Sequence, residues 1–463
     1  MIPVVTAEQM RAVDAAAAVP VEVLIGRAGA AVARVALELL GGAYGRKVVV
    51  LAGPGNNGAD GRAAADRLRG RGVRVEVIDV VDGMPDRISE VDLVIDAGFG
   101  TGFHGEWHPP RVGAIPVLAV DVPTGLDADT GVASEHTLHA VATVTFQAAK
   151  PGHYFGGGPG RSGAVRVCDI GLDIGDPAAW VLEDADVGAW MPTRPRDSHK
   201  WKQALRIVAG SAGMTGAAEL SSHAAQRAGA SLVALSSPGA EPTPPVEAIE
   251  RRVRAFDWAD EVLEDLHRYR ALVIGPGLGR EQHTLPSVVR TVTGAVVPVV
   301  IDGDGLFALA WNDAGTAAFL AERELPTVLT PHDGEYATLT GEPPADDRIA
   351  AARALVDLTG ACVLLKGPST VVAAPDEIPY LVTIGDQRLA TAGTGDVLSG
   401  VVGALLAQGL DAARAAAAGA YVHAAALRRC ATTGVVAGDL VEHLAATMTD
   451  LVAASGTDSR ERA

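Results

Sequence analysis

Aromatic residues are scarce in this chain: phenylalanine, tryptophan and tyrosine make up 4% of its 463 residues. Its cores must therefore be filled by alanine, valine and leucine, packed through many close contacts rather than a few large rings. Only three cysteines occur, Cys168, Cys362 and Cys430, and none forms a C-x-x-C pair. That spacing excludes a disulfide framework or a cysteine-based zinc site. Positive charge is also short, with a formal net charge of −18. Nucleic acid and anionic membranes both demand surplus Lys and Arg, so neither is expected as a partner. The most apolar long stretch, Val397 to Leu410, contains Ser, Gln and glycines and ends at Asp411, too short to span a bilayer. The opening MIPVVTAEQMRAVD has no basic region followed by an apolar one. No signal peptide is read there, and a cytoplasmic location is expected.

The length predicts at least two domains. In the first, T-A-E-Q at 6–9 is a capping box opening a helix, and helical periodicity returns from about Val21 to Leu40. Short β-branched runs then alternate with helical stretches: 47–53, 73–80, 92–98, 116–123, 141–146 and 165–170. Buried parallel strands have this pattern, so the segment reads as a Rossmann-like doubly wound α/β domain. MPTRPRDSHK at 191–200 combines two prolines with four basic side chains, which places a boundary at about 185–197. A second alternating series follows, at 205–211, 231–237, 271–277, 298–305, 326–335 and 362–374, so the C-terminal half is also α/β. The glycine signatures of the two halves differ, which argues against an internal duplication.

GPGNNGADG at 53–61 follows a strand and opens a helix near Gly58. By itself it fits G-x-G-x-x-G, the turn of a dinucleotide site, with Asp79 as the ribose acid. The polar Asn56, Asn57 and Asp60 crowd that loop, however. Two further strand ends, DAGFGTGFHGE at 96–106 and DVPTGLD at 121–127, bring more polar groups to the same carboxyl edge. Asn57, Asp96 and Thr124 would supply hard oxygen ligands suited to an alkali or alkaline-earth cation. Asp121, just before Val122-Pro123, is placed for proton transfer. His104 with His108, and His136 with His139, lack a third ligand and read as loop histidines. Lys150 in FQAAKPG reads equally as a pocket residue or a surface one.

Together, N-N-G-x-D-G, D-x-x-F-G-T-G and D-x-P-[ST]-G-L-D resemble the NAD(P)H-hydrate epimerase family, or YjeF N-terminal domain, over residues 1–190. The resemblance implies that Asn56, Asn57, Gly58, Ala59 and Asp60 contact a hydrated nicotinamide nucleotide. It implies the same for Gly100, Thr101, Gly102, Phe103, His104, Gly105, Glu106 and Asp121. It further implies K⁺ on Asn57, Asp96 and Thr124, with Asp121 catalytic. Ala59 and Thr124 depart from the commoner Gly and Ser.

In the second half, LATAGTGDVLSG at 389–400 delivers Asp396 to the first turn of an apolar helix. Unpaired N–H groups and the dipole at such a helix start favour an anion, and the carboxylate beside it can take a proton. GSAGMTGAA (210–218), GPGLG (275–279), TPHDGE (330–335) and KGPST (366–370) are further strand-end motifs, and there is no P-loop. In this order they resemble the ADP-dependent NAD(P)H-hydrate dehydratase family, over residues 197–455. That resemblance implies a ribokinase-like domain using ADP with Mg²⁺. Lys366, Gly367, Pro368, Ser369, Thr370 and Gly395 would contact the adenine nucleotide. Ala217, Gly277, His332 and Asp396 would contact the hydrate, with Asp396 catalytic.

A bifunctional repair enzyme acting on NADHX and NADPHX is the expectation, with His332 a candidate to assist elimination and a homo-oligomer compatible with these bounds. A small-molecule kinase, a dehydrogenase and a non-catalytic binding module are the other readings.

Overall fold

The computed structural model describes residues 1–103, 105, 107–311, 320 and 323–461. The chain divides into two compact units, one of residues 2–180 and one of residues 181–463 together with Met1. The division precedes the 185–197 read from the prolines. The helix Asp184–Trp190 belongs to the second unit, where a Cβ on Gly188 would stand 1.9 Å from the Leu451 carbonyl oxygen.

In the first unit six strands pair in parallel, in the order Arg74–Asp79, Lys47–Ala52, Leu93–Ala97, Val117–Val120, Ala142–Phe146, Ala164–Cys168. Both faces of the four central strands are covered, which is why these read as nearly continuous apolar runs, whereas the edge strands Arg74–Asp79 and Ala164–Cys168 alternate. Val48, Val50, Ile95 and Val144 pack on one side with Val32 and Val35 of the helix Val21–Leu40. Val49, Leu51, Val94 and Ala119 pack on the other with Trp107. With few rings to fill space, helices must approach closely. A Cβ on Gly29 would lie 2.5 Å from that of Ala63 on the helix Asn56–Gly70. The order reverses between Lys47–Ala52 and Leu93–Ala97, the switch point where open α/β sheets bind ligands.

The helix after that first strand starts at Asn56, not near Gly58, because extended Gly55 caps it. Gly58 is needed for packing instead, since a Cβ there would meet the Gly53 carbonyl oxygen at 1.9 Å.

In the second unit neighbouring strands run Tyr380–Val382, Thr370–Ala373, Cys362–Leu365, Thr327–Leu329, Val299–Ile301, Ala271–Ile274, Ala204–Val208, Leu232–Ser236, Ile249–Glu250. Pairing is parallel from Cys362–Leu365 onward, whereas the first three strands are antiparallel. The run 362–374 is thus a hairpin rather than one element, because Gly367-Pro368 turns the chain. The apolar helices Thr394–Ala407 and Ala412–Ala426 are almost wholly buried. Their glycines admit close neighbours: a Cβ on Gly400 would lie 2.2 Å from Ser221 O, and one on Gly403 2.3 Å from Val273 Cγ2. Among the described residues no helix is long and apolar enough to cross a membrane.

Candidate functional sites

The first unit holds a cavity of about 620 Å³ at its switch point. Asn56, Asn57, Asp60, Gly100, Thr101, Gly102, Phe103 and Asp121 line it, joined by Asp14 and Lys150 and by apolar side chains such as Met10, Leu24 and Phe146. Phe99 and Phe103 stack with ring centroids 4.6 Å apart. His104 and Glu106 lie outside the described residues. Gly58, Ala59 and Gly105 are not among the lining residues, and neither is Asp79. The Asp79 carboxylate, read as the ribose acid of a dinucleotide site, instead accepts from Arg62 at 2.5 Å.

The loops after Lys47–Ala52 and Leu93–Ala97 touch. A Cβ on Gly53 would stand 1.7 Å from the Gly98 carbonyl oxygen. Gly53→Ala should therefore force the loops apart, at a cost of about 1–3 kcal/mol. Thermal unfolding should show a lowered transition, and an unchanged transition would refute this packing.

Asp121 follows a strand at φ 65°, a left-handed conformation costly for most residues. Its Oδ1 accepts from Lys150 Nζ at 2.8 Å and from Thr145 Oγ1 at 3.0 Å. Burial works to raise its pKa. The Lys150 charge and hydrogen bond, with help from the Thr145 hydroxyl, more than offset that, and the carboxyl lies below its ordinary range. Asp60 lies the other way. Burial first, then the charges of Asp121 and Asp14, push it up to about 8. One cavity thus holds an ionised carboxylate and a neutral carboxylic acid at pH 7, the division of roles that acid–base chemistry needs.

Asp96 is fully buried, accepting from Thr124 Oγ1 at 2.7 Å, Thr124 N at 3.0 Å and Gly98 N at 3.3 Å. Burial raises its pKa against these bonds. Both polar side-chain atoms of Asn57 are buried without a partner. The structure therefore brings Asp96 and Thr124 into contact, and leaves Asn57 with unspent hydrogen-bonding capacity. Among the described residues no group of three His, Cys, Asp or Glu side chains could hold a metal, and His108 and His136 merely face each other at 5.1 Å.

In the second unit the strand-end motifs meet around Asp302, which follows Val299–Ile301 and is nearly inaccessible. It accepts from Lys366 Nζ at 2.8 Å, Thr330 Oγ1 at 2.7 Å and Ser399 Oγ at 2.6 Å. Burial would raise its pKa, but the Lys366 charge and these bonds hold it low. Lys366 Nζ also lies 3.7 Å from Glu335 Oε2, and a Cβ on Gly395 would be 3.6 Å from it. Asp396, half-buried on the first turn of Thr394–Ala407, is raised to about 7 by burial and then by Asp302, with Asp304 and Glu335 adding. Ala217 and Gly277 adjoin, the Cβ of one lying 2.8 Å from where a Cβ on the other would stand. Gly367 and Pro368 are exposed on the hairpin turn, while Ser369 is buried and Thr370 begins the return strand.

His332 caps the helix Asp333–Thr340. Its Nδ1 accepts from Gly334 N at 3.0 Å and Glu335 N at 3.1 Å. Nε2 is left to carry the proton, so in this geometry His332 can donate a hydrogen bond but cannot take a proton without losing the cap. Asp333 is paired with Arg348 at 2.8 Å.

Sequence reasoning missed Asp14, His153 and Asp302 and left Lys150 undecided. The D-G-D-G after a β-run was a signal for Asp302. Asp14 and His153 carried none beyond ordinary helix and loop patterning.

Residues 205–450 match the family model for NAD(P)H-hydrate dehydratase, and residues 21–88 and 78–152 that for the YjeF-related protein N-terminus. The bifunctional NAD(P)H-hydrate repair enzyme Nnr of Mycobacterium leprae (strain TN) is 37% identical over 447 residues, covering 89% of this chain and 90% of that protein. The enzyme of the same name from Escherichia coli (strain K12) is 31% identical over 453 residues, covering 86% and 84%. A ribokinase-like superfamily protein from Enterococcus faecalis V583 superposes with a TM-score of 0.50 at 21% identity, over 59% of this chain and 96% of that one, which shows the fold. The chain belongs to the family of bifunctional NAD(P)H-hydrate repair enzymes.

Proposed function

We propose that the first unit interconverts the R and S forms of hydrated NADH and NADPH and that the second dehydrates the S form at the expense of ADP. The observation that carries this reading is the pairing, in one chain, of two separate proton-transfer sites. One is Asp121 with Asp60. The other is Asp396 beside Lys366 at an open helix start.

The hydrate carries a hydroxyl on C6, next to the ring nitrogen N1. In the first site Asp121 takes the hydroxyl proton, the C6–N1 bond breaks and C6 becomes a carbonyl. The electron pair passes to N1, which takes a proton from the neutral Asp60 carboxyl. Closure on the opposite face of C6 reverses each transfer and leaves the inverted centre. No redox cofactor enters this sequence.

The orphaned Asn57 amide and the buried Asp96, which has hydrogen bonds but no cationic partner among the described residues, suit a monovalent cation, with Thr124 completing the oxygen set. K⁺ bound there would neutralise Asp96 and brace the loops that contact substrate. Exchanging K⁺ for tetramethylammonium should slow epimerisation at least ~10-fold, and Asn57→Leu should abolish the cation dependence. Equal rates in both buffers would remove the cation from the reading.

In the second site Asp396 takes the C6 hydroxyl proton and the oxygen attacks the terminal phosphoryl group of ADP, with AMP leaving. Lys366 and the N–H groups at the start of Thr394–Ala407 stabilise the charge. The N1 lone pair then expels phosphate, and loss of the C5 proton gives the C5–C6 double bond of the reduced nicotinamide. Because Nδ1 of His332 is spent on its helix cap, the departing phosphate is the base at hand. Mg²⁺ would arrive with the nucleotide, and Glu335, 3.7 Å from Lys366 Nζ, is a carboxylate able to hold it there. Bound so, it would screen the phosphate charge.

The test is the near-ultraviolet absorbance of reduced nicotinamide, followed in a mixed R/S hydrate with Mg²⁺, K⁺ and ADP. Full recovery of both forms is expected. A stable phosphorylated product with no recovery would favour the kinase reading.

A further inference from the structure

The geometry points to Lys150 as a positioning residue of the epimerase site: with Thr145 it holds Oδ1 of Asp121 inside the protein and leaves Oδ2 as the oxygen that meets the substrate. This rests on the epimerase reading and adds to it the group that orients its base.

Lys150 is 1% exposed. Its Nζ donates to Asp121 Oδ1 at 2.8 Å, Thr145 Oγ1 at 2.9 Å and Ala148 O at 3.2 Å. An ammonium has three protons, and here each has its own protein acceptor. None is left for a substrate, so Lys150 acts through Asp121 rather than by handing over a proton. Oδ2 has no hydrogen bond among the described residues. It lies on the cavity side, 2.9 Å from where a Cβ on Gly100 would stand. The absent Cβ at Gly100 is what keeps that oxygen reachable.

The backbone is held by a second device. His153 Nε2 donates to the Asp121 carbonyl at 2.9 Å, and its Nδ1 accepts the Lys150 backbone N–H at 3.1 Å. The buried ring is neutral, pushed down to about 4 by burial and then by the Lys150 charge, so both contacts persist across the working pH range. It ties the left-handed Asp121 to the start of the Lys150 turn.

The need for a cation here is electrostatic. Asp14 of the helix Ala7–Ala16 and Asp60 of Asn56–Gly70 face the same cavity as Asp121. Three carboxyls that share one half-enclosed space cannot all ionise freely, and a buried ammonium on Oδ1 decides which of them is the base. In the step itself, Oδ2 gains the hydroxyl proton as the C6–N1 bond breaks, and Asp60 supplies the proton to N1. Lys150 gains and loses nothing.

The experiment uses the full chain and separates R and S hydrate by chromatography. Lys150→Met is expected to lower epimerase kcat ~100-fold with KM kept within about threefold, the signature of an interaction that matters in the transition state. Thr145→Val keeps the charge and removes one hydroxyl. It should lower kcat ~10-fold, again with KM kept, and serves if the buried methionine prevents folding. ADP-dependent dehydration of S hydrate by the same variants should be unchanged. A kcat within about threefold of wild type in both variants, or a loss carried by KM alone, would overturn the role of Lys150. A wild-type chain that does not epimerise at all would instead overturn the reading beneath it.

Discussion

Asp396→Asn is expected to reduce ADP-dependent dehydration ~1,000-fold while leaving R/S epimerisation at the wild-type rate. Asparagine keeps the size and the hydrogen-bonding reach of the side chain but cannot accept a proton. The loss therefore reads out base chemistry rather than packing. The pH profile supplies an independent check. Burial, then Asp302, then Asp304 and Glu335 raise the Asp396 carboxyl to about 7. The base form thus accumulates as pH rises through that value, and kcat/KM should climb with it in the wild type. The variant's residual rate should lack that limb. A variant retaining a tenth of wild-type activity, or a wild-type profile flat from pH 5 to 9, would mean that the hydroxyl proton goes elsewhere.

Asp121→Asn should separate the two activities in the opposite direction. With mixed hydrate and ADP, the S fraction should be recovered at the wild-type rate. Recovery should then fall to the rate of spontaneous epimerisation, with catalysed conversion of the R form down ~1,000-fold. The substitution suits the site because asparagine is among the few residues that tolerate the left-handed backbone seen there, φ 65°. Neutral asparagine leaves the buried Lys150 ammonium without its counter-charge, so the unfolding transition should be lowered, and a transition that stays cooperative and above the assay temperature would document folding. Rapid recovery of the R form by Asp121→Asn would transfer the base role to another group of the cavity, with Asp14 the next carboxyl lining it.

These two substitutions fall on residues that sequence motifs single out, because each lies at a strand end where local chemistry is written in consecutive letters. Asp396 follows a threonine–glycine turn, and Asp121 precedes Val-Pro-Thr-Gly. The capping box at Thr6 and Gln9 is legible for the same reason, since both halves of its contact lie within one turn. The hairpin at 362–374 was less so. A β-branched run on both sides of Gly367-Pro368 looks continuous until the chain is seen to double back.

The sequence by itself determined that two α/β units stand in succession, with ligand loops at the carboxyl ends of their strands and cores built from small aliphatic residues. Alternation of β-branched and helical stretches is a local property, and so are glycine turns. What only the tertiary structure decided is which polar groups meet, and in which charge state. Lys150 is 29 positions from Asp121 and Ser399 is 97 from Asp302, yet each donates a hydrogen bond to its aspartate's carboxylate, at 2.8 Å and 2.6 Å. Asp60 and Asp121 are the same amino acid in the same cavity, one raised to about 8 and the other held low. Burial and the placement of a single ammonium separate them. Those are sums over the whole surrounding structure, and no stretch of letters carries them.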